Sequence, residues 1–117
     1  MALTALGLNC TLSASPHPSS SQKLLDQLLE GLGKHGVTGD SARVVDLNIK
    51  PGVRHDEGEG DDWPALRKRV MAADILVMVT PIWMGQPSSV AKRVMERMDA
   101  FLSETDDSGR MPGCRQD

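Results

Sequence analysis

Two short segments of the chain carry most of the side chains that could hold a ligand. They read Ser13-Ala-Ser-Pro-His-Pro-Ser-Ser-Ser21 and Thr80-Pro-Ile-Trp-Met-Gly-Gln-Pro-Ser-Ser89. Serine hydroxyls at the start of a helix, where backbone N–H groups are unpaired, can bind a phosphate without adding charge. The second segment offers the ring of Trp83, two prolines, a glycine and a hydroxyl-bearing helix start. Together these features suit a planar, aromatic, phosphate-bearing cofactor.

Each segment also has an ordinary structural interpretation, which the residues alone leave open. Turns rich in serine and proline are common, and a tryptophan beside the end of a strand is more often part of the core. The fingerprints G-x-G-x-x-G and G-x-x-x-x-G-K-[ST] are absent, which disfavours nucleoside triphosphates. His17, His35 and His55 have no metal-ligand spacing, so no metal site is expected, and Cys10 is expected to be a buried thiol.

Hydrophobic periodicity predicts three strand–helix pairs that position these segments. Strands are expected at 2–10, 42–47 and 74–80, and the third helix at 88–102. The first helix should begin with a capping box of Ser19 and Gln22, and the second should have Asp62 as its N-cap. Its apolar side chains are expected to face the sheet: Trp63, Leu66 and Val70. This alternation predicts a parallel α/β sheet that binds its ligand at the carboxyl ends of the strands.

The remaining segments suggest how far this domain extends. The acidic run 56–62 lacks the D-x-D-x-D-G order of a calcium loop and is expected to be solvated. After residue 102, Met111 is the single large apolar residue, so no fourth strand is predicted. We therefore expect a three-stranded domain over 1–102, incomplete at its carboxyl end, and a flexible tail over 103–117. An open apolar edge on strand three would favour a homo-oligomer or aggregation.

Bulk composition narrows the classes of partner. A formal net charge of −3 argues against general binding to nucleic acid or to anionic membranes. No stretch approaches the ~18 apolar residues of a membrane span. Two cysteines among 117 residues make no disulfide framework, which favours a reducing, cytoplasmic location.

The chain also resembles a known family. The resemblance covers residues 2 to about 112 and is carried by Leu8-Asn-Cys-Thr-Leu12, Ser15-Pro-His-Pro-Ser-Ser-Ser-Gln-Lys-Leu-Leu25, Asp61-Asp-Trp-Pro64, Ala73-Asp-Ile-Leu-Val77 and the segment 80–89 with Lys92. In combination they are similar to the flavodoxin-like NAD(P)H-dependent FMN reductases. The resemblance implies a flavodoxin-like sheet in the order 2-1-3, with FMN bound beside strands one and three. The chain departs from the family pattern, because two further strands and a third flavin loop are not found in it.

The resemblance also implies roles for the two segments. Ser15, Ser20 and Ser21 would hold the FMN phosphate, within a cradle that includes Ser13 and Ser19. The isoalloxazine ring would lie against the second segment, where the candidate contacts are Thr80, Pro81, Ile82, Trp83, Met84 and Gly85. FMN would take a hydride from NAD(P)H and reduce a quinone, a nitro or azo compound or a flavin, with no catalytic residue from the protein. The alternatives are a non-catalytic FMN-binding electron carrier and an inactive fragment of the family.

Overall fold

The computed structural model describes residues 3–103, which form a parallel sheet flanked by helices. The sheet contains β1 (Thr4–Asn9), β2 (Thr38–Arg43) and β3 (Ile75–Val79), and the helices are α1 (Ser20–Gly33), α2 (Trp63–Ala72) and α3 (Ser89–Met98). A separate antiparallel hairpin joins β4 (Ile82–Trp83) to β5 (Gln86–Pro87), and 3-10 turns cover Val44–Asp46 and Asp99–Ser103. The strand order β2-β1-β3 confirms the predicted three-stranded α/β sheet.

Strand β1 lies at the centre and pairs in parallel with both neighbours. Its last residue, Asn9, is in register with Arg43 of β2 and with Val79 of β3. The carboxyl ends of all three strands therefore lie at one edge of the sheet. The two candidate segments leave the sheet at this edge, one after β1 and the other after β3.

The two faces of the sheet are covered to different depths. On one face, a buried cluster contains residues from β1, α2, α3 and the segments that follow β1 and β2: Leu6, Leu8, Cys10, Val44, Ile49, Trp63, Leu66, Ala91 and Val94, with Val70 packed against it. This confirms the predicted direction of the α2 side chains. On the other face, α1 approaches so closely that a Cβ at Gly7 would lie 2.5 Å from Leu25 Cδ1. Leu25 is buried, whereas Leu24 and Leu28 remain exposed.

The predicted second strand, 42–47, was wrong in position. The strand begins at Thr38, and Val44–Asp46 is a 3-10 turn that places Val44 in the core. As an edge strand, Thr38–Arg43 has little buried surface and contains no large apolar side chain, so hydrophobic patterning gives no signal for it. The apolar residues Val44 and Val45, which follow the strand, led to the mistaken position.

The acidic segment also differs from the prediction. Asp61 is not solvated, because its carboxylate is fully buried in an ion pair with Arg97, with Arg97 Nη2 2.6 Å from Asp61 Oδ2. At the start of α2, the Asp62 side chain makes no capping bond. It accepts instead from the backbone N–H of Asn48 at 2.7 Å, while Asp61 Oδ1 accepts from the Trp63 N–H at 3.1 Å. The side chain before the N-cap therefore takes the role expected of Asp62.

Strand β3 is less buried than its apolar composition suggests. Leu76 is 38% exposed, and within residues 3–103 no strand pairs with the outer edge of β3. The homo-oligomer expected from such an edge stays a prediction, as does the domain boundary at 102. Of the predicted flexible tail, Ser103 belongs to the last 3-10 turn, and 104–117 lie outside the described residues. No helix in the described part is long and apolar enough to cross a membrane.

Candidate functional site

The two candidate segments are joined at the edge of the sheet by Ser88. We call residues 10–21 the serine loop and residues 80–88 the hairpin loop. The Cys10 N–H donates to Val79 O at 2.8 Å, and Ser88 Oγ donates to Cys10 O at 2.7 Å. Ser88 also caps α3, because its Oγ accepts from the Ala91 N–H at 3.1 Å. This buried serine fixes both loops to one helix start, a role that its position in the sequence did not reveal.

The five serines predicted to surround a phosphate fall into two groups. The hydroxyl of Ser15 donates to Asp46 Oδ2 at 2.6 Å, and that of Ser19 caps α1 by accepting from the Gln22 N–H at 3.1 Å. By contrast, the hydroxyls of Ser13, Ser20 and Ser21 make no hydrogen bond within residues 3–103. The hydroxyls of the second group are thus unpaired, with Ser13 and Ser20 exposed and Ser21 buried, whereas the Ser15 hydroxyl already donates a hydrogen bond to a carboxylate.

The start of α1 adds backbone donors to these hydroxyls. Lys23 N–H makes the first bond inside the helix, to Ser19 O at 3.2 Å. The N–H groups of Ser20 and Ser21 precede it and have no partner in the described part of the chain. Unpaired N–H groups and the helix dipole make such a terminus attractive to an anion.

Asn9 organises the serine loop from inside and was missed in the sequence. Its fully buried side chain donates from Nδ2 to Gln22 Oε1 at 3.0 Å and accepts at Oδ1 from the Thr11 N–H at 3.1 Å. The predicted capping box is therefore half formed: Ser19 caps the helix, while the Gln22 side chain turns to Asn9. A polar residue ending a buried strand was the available signal.

Two further side chains hold the serine loop from the side of β2. Arg43 Nη1 donates to Ser13 O at 3.1 Å and to His17 O at 2.9 Å. Asp46 Oδ1 accepts from the Ser15 N–H at 2.9 Å. The bonds from the Ser15 hydroxyl and N–H, followed by the nearby Arg43 charge, lower the pKa of Asp46 below its ordinary value. Both residues lie inside the second strand predicted from the sequence, 42–47, and no role was expected for them.

The hairpin loop presents apolar side chains to solvent. Trp83 is 52% exposed, Met84 is 98% exposed, and Ile82 is exposed beside them. Met84 (φ 53°) and Gly85 (φ 74°) both have positive φ, as in the type I′ turns that close two-residue hairpins. The exposed ring of Trp83 contradicts the interpretation of this residue as core, a position that Trp63 occupies instead.

Neutral hydroxyl groups close the base of this hairpin. Thr80 Oγ1 accepts from the Ser88 N–H at 2.9 Å and donates to Pro81 O at 2.9 Å. Pro81 is half-buried beneath the exposed tip. Thr80 and Pro81 therefore shape the loop, whereas the side chains from Ile82 to Met84 are exposed at its tip.

Comparison with known proteins identifies the family. Residues 9–112 match the sequence model of the NADPH-dependent FMN reductases. The chain belongs to this family. The predicted resemblance is therefore confirmed over most of the chain, while the individual flavin contacts stay a prediction.

Individual relatives of this FMN reductase family member are longer than the chain. It is 43% identical over 112 residues to the divalent metal cation transporter MntH of Mycobacterium bovis, covering 92% of the chain and 16% of that protein. It is 34% identical over 121 residues to 8-demethyl-8-aminoriboflavin-5′-phosphate synthase of Streptomyces davaonensis, covering 96% of the chain and 47% of that protein. The chain thus spans at most about half the length of these two curated relatives.

A solved structure also supports the fold of this family member. The crystal structure of RosB with the bound intermediate 8-demethyl-8-formylriboflavin-5′-phosphate superposes with a TM-score of 0.83 at 34% identity. The match covers 95% of this chain and 48% of RosB. The flavodoxin-like fold expected from the sequence is confirmed by this neighbour.

Cys10 is the one cysteine of this family member within the described residues, and its surroundings disfavour the thiolate. Its side chain is fully buried, and burial raises the pKa of the thiol to about 11. The thiol is therefore protonated at neutral pH, as expected for a structural cysteine. Its backbone N–H and C=O, rather than its sulfur, serve the site by joining the two loops.

Proposed function

We propose that the chain binds FMN at the carboxyl edge of its sheet and acts in an FMN-dependent NAD(P)H oxidoreductase. One observation carries this proposal: the Ser88–Cys10 bond joins the loop that carries the unpaired serine hydroxyls to the loop that carries the exposed Trp83. One loop suits a phosphate and the other suits a flat aromatic ring. The riboflavin-5′-phosphate derivative bound to RosB supports the same class of ligand.

The FMN phosphate would lie at the start of α1. Ser13, Ser20 and Ser21 have hydroxyls with no partner in residues 3–103, and two N–H groups of the helix are equally available. Neutral donors suit a phosphate dianion here because the helix terminus already supplies a partial positive charge. Ser19 keeps its capping bond and so contributes through the shape of the turn.

The flavin ring would lie against the hairpin loop. Ile82 and Trp83 provide exposed apolar surface that excludes water from one side of a ring, and Gly85 allows the tight turn behind them. When bound, FMN would accept a hydride from NAD(P)H and pass electrons to a small-molecule acceptor such as a quinone, nitro or azo compound or flavin. The protein's own contribution is position and exclusion of water.

The decisive experiment is a titration of the purified protein with FMN and with riboflavin, which lacks the phosphate. Ser21→Ala should weaken FMN binding about ten- to a hundred-fold, because a hydrogen bond to a charged group contributes ~1.5–3 kcal/mol. Riboflavin binding should not change. Ser41→Ala, which removes a hydroxyl from β2 away from the loop, is the matched control. Equal losses for FMN and riboflavin would refute this placement of the phosphate.

A second measurement addresses the reaction itself. Oxidation of NADH and NADPH by the flavin-loaded protein distinguishes a reductase from an FMN-binding electron carrier. The flavin is then recovered, and its molecular mass is measured by mass spectrometry. An unchanged mass supports a cofactor, whereas a changed mass would favour flavin as substrate, as the name of the Streptomyces relative describes for that protein.

A further inference from the structure

The serine loop is held from outside by a pair of opposite charges at the carboxyl end of β2. We propose that Arg43 and Asp46 form a clamp that preorganises this loop for the flavin phosphate, and that Ser15 is a positioning residue acting through Asp46. The inference rests on the proposed FMN site and adds residues that do not touch the phosphate themselves.

The geometry of the clamp covers the loop from Ser13 to His17. Arg43 bonds the carbonyl groups at both ends of this stretch, four residues apart, at 3.1 and 2.9 Å. Between them, Asp46 bonds the N–H and the hydroxyl of Ser15 at 2.9 and 2.6 Å. The guanidinium therefore donates to two carbonyl groups and the carboxylate accepts from an N–H and a hydroxyl, so that four hydrogen bonds hold one short stretch of the loop.

These bonds matter because the ligand groups on either side of the clamped stretch must converge. The available hydroxyl of Ser13 lies at its start, and those of Ser20 and Ser21 follow after the cap residue. A loop already ordered in its binding conformation loses less entropy when the ligand binds, which strengthens binding without a new contact. The clamp would thereby raise affinity for FMN while leaving the hydroxyls open.

The same geometry argues against Ser15 as a phosphate ligand. Its hydroxyl has one hydrogen, which points to the Asp46 carboxylate at 2.6 Å. If that hydrogen turned to a phosphate, Ser15 Oγ and Asp46 Oδ2 would face each other at 2.6 Å with no hydrogen between them. It would also bring the phosphate charge towards the Asp46 carboxylate, which is unfavourable for like charges.

A double-mutant cycle separates positioning from direct binding. Asp46→Ala should weaken FMN binding about ten-fold and leave riboflavin binding unchanged, because the loop serves the phosphate. Ser15→Ala should have a smaller effect alone, because it keeps the Ser15 N–H bond to Asp46, and almost none in the Asp46→Ala background, where the hydroxyl bond is already lost. Ser15→Thr, which keeps the hydroxyl, should restore most of the affinity. Asp40→Ala, which removes an exposed carboxylate of β2 paired with Arg69, is the control.

Hydrogen exchange of the flavin-free protein gives a second readout. The Ser15 amide should exchange about ten-fold faster in Asp46→Ala, and Asp46→Asn should have a smaller effect because it keeps one acceptor. The amides of β1 should remain protected in both, which shows that the variants fold.

Each outcome has a separate meaning. Additive losses for Ser15→Ala and Asp46→Ala would overturn the positioning role, because Ser15 would then contact the phosphate itself. If the wild-type protein binds FMN and both single variants bind it as tightly as wild type, the clamp is overturned and the proposed function is not. Wild-type protein that binds no FMN would overturn the proposed function, and the clamp's role in it as well.

Discussion

The serine loop and the acidic loop between β2 and α2 are held by the same pairing of side chains at two levels of burial. In each, an arginine donates to backbone carbonyls and an aspartate accepts from backbone N–H groups. In the serine loop these are Arg43 and Asp46. In the acidic loop, Arg97 donates to the carbonyls of Lys50, Arg54 and His55, while Asp61 accepts from the N–H groups of Lys50, Glu57 and Trp63.

The difference between them is exposure to water. The side chains of Arg97 and Asp61 are 0% exposed and bond each other directly, and the guanidinium lies 5.8 Å from the centre of the Trp63 ring. Asp46 is exposed. Removing one partner of a buried ion pair lowers the free energy of unfolding strongly, whereas an exposed ion pair contributes little to it. Breaking the Arg97–Asp61 pair is therefore expected to destabilise the whole fold, whereas Arg43 and the exposed Asp46 can order the serine loop with little effect on global stability.

The largest expected effect comes from breaking the buried pair. Arg97→Met should lower the free energy of unfolding by about 3–5 kcal/mol, because it leaves the Asp61 carboxylate buried without a counter-charge. Denaturant unfolding of the flavin-free protein measures this change. Arg69→Met is the matched control, since Arg69 also pairs with an aspartate at 2.8 Å but at the surface. It should cost about 0–1 kcal/mol, and equal losses for the two variants would contradict the comparison.

Acid should reveal the same difference. The Arg97 bonds hold the pKa of Asp61 well below its ordinary value of 3.8. Since the folded pKa is the lower one, Asp61 stabilises the fold fully above 3.8 and less as pH falls through and below that value. The melting temperature should therefore fall more steeply below about pH 4 in wild type than in Asp61→Asn.

Asp46→Asn provides the comparison for this experiment. The pKa of Asp46 is also lowered, so its effect has the same sign, but its carboxylate is exposed and the slope should change less. An equal change in slope for the two variants would show that burial does not distinguish them.

The sequence revealed the elements whose burial leaves a pattern. Strands β1 and β3 and the apolar stripe of α3 were found because they contribute to a core, and their alternation with helices indicated the parallel order. Strand β2 was misplaced because an edge strand of small and polar residues has no such pattern. The buried Asp61 was missed because its partner, Arg97, lies 36 residues away, and charge spacing does not show which aspartate is buried.

The candidate site divides in the same way. The two loops proposed to bind the ligand were visible as a serine-rich helix start and an aromatic segment after a strand. The residues that hold them were not, because Arg43 and Asp46 act only where β2 ends, and Ser88 acts only where α3 meets β1. Contacts between elements depend on register, which composition does not specify.

The smallest expected effect on stability is in the hairpin loop, which is held by neither of the two arginine–aspartate combinations. The hairpin loop is closed by the neutral bonds of Thr80 and Ser88, and its exposed Trp83 ring packs little. Trp83→Ala should therefore lower the stability of the flavin-free protein by less than about 1 kcal/mol, whereas truncating a buried ring costs ~3–5 kcal/mol. Binding of both FMN and riboflavin should weaken by ~0.5–1.5 kcal/mol. The fluorescence of bound flavin, which the packed Trp83 ring is expected to quench, should be partly restored. Thermal melts and fluorescence titrations measure the two quantities, and a large fall in the melting midpoint would return Trp83 to a structural role.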